Sequence, residues 1–166
     1  MIAPSGPPPS TPEVGWTLQL NTCNESDPFQ TFSLQGNKVT QVSSGLCVSQ
    51  QLGNDNSLYL DTCGKSGQSW YGVGNTIANV TSGTGASCVN FNNVNNVLTI
   101  GNPVIPYSCD PAQWNAKFSF KSSGNNVIQA LNEDGSLSEA CISVAPALNP
   151  SLWSIPFLDA WSLKDY

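Results

Sequence analysis

The feature that most constrains the fold is a unit of about forty residues that occurs three times. Each copy has a cysteine, a polar loop and an aromatic residue, then a short aliphatic segment, and finally a second cysteine followed by an apolar residue. The aromatic residues close the segments Gln30-Thr31-Phe32, Gln68-Ser69-Trp70 and Ala116-Lys117-Phe118. The cysteine–aliphatic pairs are Cys47-Val48, Cys88-Val89 and Cys141-Ile142. Such a repeat predicts one structural unit that is used three times.

Short segments with period-two alternation, separated by turn residues, predict an all-β fold. The segment 16–20 alternates apolar and polar side chains, and Gly36-Asn37 and Ser44-Gly45 are typical turn pairs. No stretch before residue 145 has a convincing helical period. Four short strands in each unit predict about twelve strands in a barrel or sandwich. The predicted strands are 16–20, 32–34, 39–42, 47–48, 58–60, 70–73, 77–80, 88–91, 97–100, 118–120, 127–131 and 141–144.

Charge and residue usage restrict the possible partners and chemistry. Five Lys and Arg stand against eleven Asp and Glu, for a net charge of −6. Nucleic acids and anionic membranes are bound by basic surfaces, so we expect neither as a partner. The chain has no histidine, the commonest metal ligand and general base, and no CxxC spacing. We therefore expect no metal, no cofactor and no catalytic activity.

The cysteines indicate an oxidising compartment. The number of cysteines is six, an even number, and they are spread along the chain, which favours disulfides and a secreted, extracellular protein. Their spacing alone leaves the pairing open. Asn24-Glu25-Ser26 and Asn79-Val80-Thr81 are potential N-glycosylation sequons, which predict glycans on Asn24 and Asn79.

The composition changes at both ends of the repeat region. Residues 1–13 are rich in proline and serine, which predicts an extended linker to a neighbouring domain, with a disordered terminus as the alternative. Residues 14–145 contain the repeats. Residues 146–166 form an apolar tail that either covers one end of the barrel or docks on a partner domain through Trp153, Phe157 and Trp161.

The repeat resembles the ricin-B-type β-trefoil lectin domain, whose signature is a cysteine, a Q-x-W motif, a strand and a cysteine–aliphatic pair. Gln68-Ser69-Trp70 is a full match to the motif, Gln30-Thr31-Phe32 is a conservative variant, and the third copy keeps only the aromatic Phe118. The resemblance covers residues 14–145 and implies a β-trefoil of about twelve strands with pseudo-threefold symmetry. The match to the family signature is degenerate, and the phase is shifted, so that the repeat region starts in the middle of a unit.

The resemblance also implies disulfides and a set of core residues. Family members pair the cysteine of the cysteine–aliphatic pair with the next cysteine downstream, which implies Cys47–Cys63 and Cys88–Cys109. Cys23–Cys141 would then join the last strand to the first. The aromatics of the three motifs, Phe32, Trp70 and Phe118, would occupy equivalent positions in the core.

In that family each unit can hold one shallow sugar site. An Asp two residues after the cysteine of the cysteine–aliphatic pair accepts hydrogen bonds from sugar hydroxyls, an aromatic in the next loop stacks on the ring, and an Asn and the motif Gln complete the site. The best match here is the second pocket, with Asn90 for Asp, Tyr107 for the aromatic and Asn115 for Asn. Ala116 replaces the glutamine in this pocket.

The other two pockets match less well. One has Ser49 for Asp, Asp61 for the aromatic, and Gly67 and Gln68 beside the motif. The remaining pocket, formed from both ends of the chain, has Ser143, Asn21 and Gln30. The structural alternative for Gln68 is a hydrogen bond to the backbone that holds its turn.

Three functions follow from these features. The first is a non-catalytic carbohydrate-binding module for galactose-type or related glycans, as an accessory domain of a secreted glycosidase or similar larger protein. The alternative is a degenerate trefoil that serves as a structural or protein-interaction domain. The third is a glycosidase, which would require two carboxylates facing one another. The candidate acids lie in turn-like sequence with no spacing that singles out a pair: Asp55, Asp61, Glu133 and Asp134.

Overall fold

A computed structural model describes residues 11–50, 57–80, 86–92, 97–121 and 124–146. These residues form an all-β fold with two 3-10 helices, Pro28–Gln30 and Trp114–Ala116. None of the described helices is long and apolar enough to cross a membrane. The strands are β1 (Thr17–Thr22), β2 (Phe32–Gln35), β3 (Lys38–Gln41), β4 (Leu46–Ser49), β5 (Tyr59–Asp61), β6 (Trp70–Val73), β7 (Thr76–Val80), β8 (Ala86–Phe91), β9 (Val104–Ser108), β10 (Phe118–Ser119), β11 (Asn125–Asn126), β12 (Gln129–Leu131) and β13 (Leu137–Ala145).

The strands form two sheets that curl around one core. The first has the order β10-β12-β13-β1-β5-β4-β3-β2-β11, and the second has the order β6-β7-β8-β9. The outer strands of the first sheet, β10 and β11, are neighbours in sequence, so the sheet bends until its two ends come from the same segment. A β-bridge between Gln19 and Pro103 connects the two sheets, and the amide of Leu20 donates to the carbonyl of Asn102 beside it.

Each unit has a glycine–asparagine turn that contacts another unit. The three turns are Gly36-Asn37, Gly74-Asn75 and Gly124-Asn125, and the glycine of each has a positive φ, as tight hairpin turns require. The carbonyl of Asn37 accepts from the amide of Trp70, and that of Asn75 accepts from the amide of Phe118, both at 2.8 Å. Asn125 of the third turn lies opposite Ser33, next to Phe32, in the pairing of β11 with β2. Each turn therefore contacts the aromatic strand of another unit.

The core is built from the predicted aromatics and from alternate residues of the strands. Phe32, Trp70 and Phe118 are all buried, and each is the first residue of its strand, which confirms them as core positions. In β1 the side chains of Leu18 and Leu20 point inward between polar neighbours, as the alternation predicts. The core thus uses the inward face of short amphipathic strands, and it joins side chains from all three units.

Three disulfides join the pairs that the resemblance implies: Cys23–Cys141, Cys47–Cys63 and Cys88–Cys109. The first of them lies beside the antiparallel pairing of β1 with β13, which runs from Thr17 opposite Ala145 to Thr22 opposite Ala140. The first and last strands of the described fold are therefore held together by a hydrogen-bonded ladder and by a covalent bond.

One predicted strand is wrong. Residues 97–100 form no strand, and β9 pairs with β8 instead. Val97 and Ile100 are exposed, and the chain turns at Gly101, whose amide donates to the carbonyl of Leu20. The true strand contains Pro106, which lacks an N–H and breaks the strand pattern in the sequence. It is tolerated because β9 lies at the edge of its sheet.

Some predictions concern residues outside the described ranges. The linker is described only from residue 11, and the apolar tail only at its first residue, 146. Trp153, Phe157, Trp161 and Asp55 therefore lie outside the described residues, and their predicted roles stay predictions.

Gly67 provides a sharp test of this fold. It has φ +83°, and a Cβ atom at this position would lie 2.2 Å from the carbonyl oxygen of Gln50. We expect Gly67→Ala to lower the free energy of unfolding by about 3 kcal/mol, because the backbone must shift and the conformation is strained. Gly64→Ala is the control, since Gly64 has φ +102° and open space around it. The control should lose only about 1 kcal/mol, from strain alone. Equal losses in denaturant titrations would contradict this geometry.

The disulfides should differ in their contribution to stability. Cys23–Cys141 closes a sequence separation of 118 residues and Cys47–Cys63 one of 16. Replacement of both cysteines by alanine should cost about 5 kcal/mol for the first pair and about 3 kcal/mol for the second, because the longer loop gains more chain entropy when unfolded. Denaturant midpoints of the two double variants would measure the order. The reverse order would show that chain entropy does not control these bonds.

Candidate functional site

The side chain of Gln68, the glutamine of the Q-x-W motif, is buried and fully hydrogen-bonded. Its Oε1 accepts from the amides of Gly64 (2.9 Å) and Lys65 (3.1 Å). Its Nε2 donates to the Ser49 hydroxyl (2.8 Å) and to the carbonyl of Thr62 (2.9 Å). Gln68 and Ser49 are both buried. A carboxamide can accept two hydrogen bonds and donate two, so Gln68 has no capacity left for a ligand.

Gln30 occupies the same position in another unit. Its Oε1 accepts from the amide of Asn24 (2.9 Å), and its Nε2 donates to the carbonyl of Thr22 (2.8 Å). These partners are the residues directly after and before Cys23, just as Gly64 and Thr62 flank Cys63. In both units the glutamine therefore binds the backbone around the disulfide cysteine. The sugar-contact role predicted for these two glutamines is replaced by a structural role.

In the unit that lacks the glutamine, Asn90 donates a hydrogen bond to the backbone beside the disulfide cysteine, as the glutamine does in the other two units. Ala116 is buried where the glutamine would lie. The Nδ2 of Asn90 donates to the carbonyls of Cys88 (2.8 Å) and Ser108 (3.4 Å), and Ser108 directly precedes Cys109. Asn90 is fully buried, so the structure does not place it where a sugar could reach it. This corrects the prediction that Asn90 would accept hydrogen bonds from a ligand.

Two of the predicted residues, Tyr107 and Asn115, lie beside the same groove. This groove measures about 500 Å³. Tyr107 is 48% exposed and Asn115 is mostly buried, with its Nδ2 donating to the carbonyl of Phe91 at 2.9 Å. The other residues of this groove, which we call the aromatic groove, are Asn92, Ile105, Ala112, Gln113 and Trp114.

The local sequence explains how the aromatic groove forms. In β9 the side chains of Ile105 and Tyr107 face outward, while Val104 and Pro106 face the core. The 3-10 helix Trp114–Ala116 brings Trp114 to the groove, where its ring packs edge-on against buried Phe91 at 5.3 Å between centroids. The groove therefore has two aromatic rings beside amide-bearing side chains.

The sequence prediction missed Trp114, and a second turn signal could have found it. Asp27-Pro28-Phe29-Gln30 and Asp110-Pro111-Ala112-Gln113 share the pattern Asp-Pro-x-Gln. In both, the aspartate Oδ1 accepts from the amide two residues later, at 2.9 Å. The second copy is followed by extra residues before Phe118, and Trp114 is the first of them. Cys109 and Phe118 are nine residues apart, as are Cys23 and Phe32, so this loop has no insertion, but its turn lies three residues nearer to the cysteine. The shifted turn leaves room for a 3-10 helix that begins at Trp114.

A second groove adjoins the first at Trp114, which lines both. It measures about 710 Å³, and we call it the aliphatic groove. Its other residues are Val97, Leu98, Ile100, Asn132, Glu133, Leu137, Ser138, Glu139 and Ala140. The turn between β12 and β13 forms one wall. Hydrogen bonds from the Ser136 side chain and backbone lower the pKa of Asp134 in that turn and hold its carboxylate charged.

The other two predicted pockets do not assemble as binding sites. Ser143 is buried in β13, and the Oδ1 of Asn21 accepts from the neighbouring amide of Thr22. Asp61 lies where the stacking aromatic was expected, and its Oδ1 forms a salt bridge with the Lys65 Nζ at 3.2 Å. Within the described ranges, no group of three or more His, Cys, Asp or Glu is arranged to hold a metal ion.

The two sequons differ in accessibility. Asn24 is exposed, and its Oδ1 accepts from the amide of Ser26 within the sequon. Asn79 is fully buried, and its Nδ2 donates to the carbonyl of Gly67 at 3.0 Å. A glycan on the Asn79 nitrogen is incompatible with this burial, so the prediction is corrected for Asn79. The Asn24 sequon remains a prediction.

Comparison of the chain with protein-family models, with curated proteins and with solved structures found no match. The resemblance to ricin-B-type domains rests on residues of the chain itself. These are the cysteine pairs, the motif Gln68-Ser69-Trp70 and its two altered copies.

The structural role of Gln68 can be tested by its removal. Gln68→Ala would leave the amides of Gly64 and Lys65 and the carbonyl of Thr62 without this partner, so we expect a loss of about 3 kcal/mol in the free energy of unfolding. Gln113→Ala is the control, because Gln113 is partly exposed in the aromatic groove, and it should change stability by less than about 0.5 kcal/mol. Comparable stability of the two variants in thermal and denaturant unfolding would rule out the interior network.

Proposed function

We propose that residues 14–145 are a ricin-B-type β-trefoil that binds neutral glycans without catalysis, as an accessory domain of a secreted glycosidase or similar larger protein. The binding site is the aromatic groove of Tyr107, Trp114 and Asn115. Galactose-type or related sugars are the ligands that the family resemblance suggests. The observation that carries the proposal is that two aromatic side chains line this groove, exposed Tyr107 and partly buried Trp114.

The trefoil assignment is supported by contacts that recur from unit to unit. Gln30 and Gln68 bind the backbone around their cysteines in the same way. The glycine–asparagine turns contact the aromatic strands of other units in a closed cycle. A disulfide accompanies each of the strand pairs β1–β13, β4–β5 and β8–β9. A single fold unit used three times accounts for all of these contacts.

The chemistry of the aromatic groove suits a sugar ring. A pyranose presents an apolar face of C–H groups, which packs on an aromatic ring, and a rim of hydroxyls, which need donors and acceptors. Tyr107 and Trp114 provide the rings, while Asn92, Gln113 and Asn115 provide amide groups around them. None of the described lysines lines this groove, which favours neutral sugars over sulfated or acidic ones.

The non-catalytic assignment is supported by the placement of the acids. Glycoside hydrolysis needs two carboxylates that face one another across the bond. Asp61 pairs with Lys65, and Glu133 and Asp134 are exposed at a hairpin turn. The three disulfides are compatible with an extracellular protein, which supports secretion.

Tyr107 is the residue on which to test sugar binding. We expect Tyr107→Ala to weaken binding of a simple sugar by about tenfold or more, because the stacking surface is lost. Tyr107→Phe should keep most of the affinity. Glycan arrays would identify the sugar and calorimetry would measure its dissociation constant.

Tyr71→Ala is the matched control. Tyr71 lies on β6, is 38% exposed and lines neither groove, so its loss should leave binding unchanged. Full binding by Tyr107→Ala, with the variant folded, would exclude the aromatic groove as the site.

A second candidate is a degenerate trefoil that acts as a structural or protein-interaction domain. The observation in its favour is that Ser49, Asn90 and Ser143 replace the family's aspartate and are all buried. On this hypothesis no glycan binds even at millimolar concentration. A protein partner would then contact the apolar tail, including Trp153, Phe157 and Trp161.

A further inference from the structure

We propose that the sugar site continues past Trp114 into the aliphatic groove, and that its ligand is a neutral or cationic glycoside with an apolar aglycone. This inference rests on the proposed function, because it takes the aromatic groove as the sugar site. Trp114 carries the connection, since it is the residue that lines both grooves. A sugar stacked beside Trp114 would direct one substituent toward the aliphatic groove.

The aliphatic groove has exposed apolar side chains that a hydrocarbon group could cover. Three of its side chains are large, apolar and unusually exposed: Val97 at 54%, Ile100 at 46% and Leu137 at 59%. They come from the segment before the Gly101 turn and from the start of β13, with Leu98 packed behind them against the core. Their surface offers few partners for hydroxyls, but it gains free energy when an apolar group removes it from water.

Charge at the aliphatic groove limits the aglycone further. The two charged side chains that line it, Glu133 and Glu139, are exposed carboxylates. None of the described lysines lines either groove, and the whole chain has a net charge of −6. An anionic aglycone or headgroup would be repelled here, while a neutral or cationic one would not.

The test compares methyl and hexyl glycosides of one sugar, both below the micelle concentration of the hexyl compound, with the full chain. Galactose, glucose and N-acetylglucosamine pairs are the probes. The hexyl glycoside adds five methylenes, so partial burial of the chain should raise affinity at least about tenfold over the methyl glycoside. Isothermal calorimetry gives both dissociation constants.

Substitutions in the aliphatic groove then test where the hexyl chain binds. Ile100→Ser and Leu137→Ser should each reduce the hexyl advantage several-fold and leave the methyl affinity unchanged. Val42→Ser is the control, because Val42 is 37% exposed but lines neither groove, and it should preserve the advantage. Tyr107→Ala should weaken both glycosides together.

The outcomes separate this inference from the proposed function. Equal binding of methyl and hexyl glycosides would overturn the extension and leave sugar binding intact. Binding of neither would overturn both. A hexyl advantage that survives Ile100→Ser and Leu137→Ser would place the aglycone elsewhere and overturn the assignment of the aliphatic groove. A hexyl glycoside that binds with full affinity to Tyr107→Ala would show that the two grooves do not act as one site.

Discussion

The fold depends first on the pairing of its two terminal strands. β1 and β13 are joined by an antiparallel ladder and by Cys23–Cys141, and β1 also contacts β5 and, through Gln19, the segment that leads into β9. β1 is thus one of the strands at which the two sheets meet. Because the first and last strands of the described fold pair inside one sheet, short strands from both ends of the chain share a single core.

The polar residues that mark the repeat in the sequence use their hydrogen-bonding groups inside the fold. Gln30 and Gln68 use their carboxamides on the backbone around disulfide cysteines, and Ser49 joins Gln68 in that network. The unit with Ala116 lacks the glutamine, and there Asn90 reaches the carbonyl before the cysteine. In the same unit the Asp-Pro-x-Gln turn lies nearer to its cysteine than in the first unit, and Trp114 begins the 3-10 helix that follows the turn. The candidate binding surface therefore arises where the repeat is least regular.

The strands, the disulfides and the core aromatics could largely be predicted from the sequence, but the residues of the candidate binding groove could be predicted only in part. The all-β class follows from alternation, and the disulfide pairs and the buried aromatics Phe32, Trp70 and Phe118 follow from the family resemblance, because both depend on a local pattern that is repeated three times. β9 was missed because Pro106 interrupts the pattern that identifies strands, and the apolar segment 97–100 imitated one. Trp114 was missed because its position beside the groove depends on how its ring packs on Phe91, which the sequence does not show. Asn90 and Asn79 were assigned to the surface because sequence does not reveal which way a polar side chain in a strand points.

The pairing of Thr17 with Ala145 in the β1–β13 ladder also brings the two ends of the described strands together. The two residues are neighbours, so a short linker could join the chain on either side of the ladder. The order of the strands along the chain then depends on where the chain is opened. A permuted chain that begins within the Gly74-Asn75 turn, with its old ends connected by a short linker, would keep every strand pair and every disulfide described for this fold.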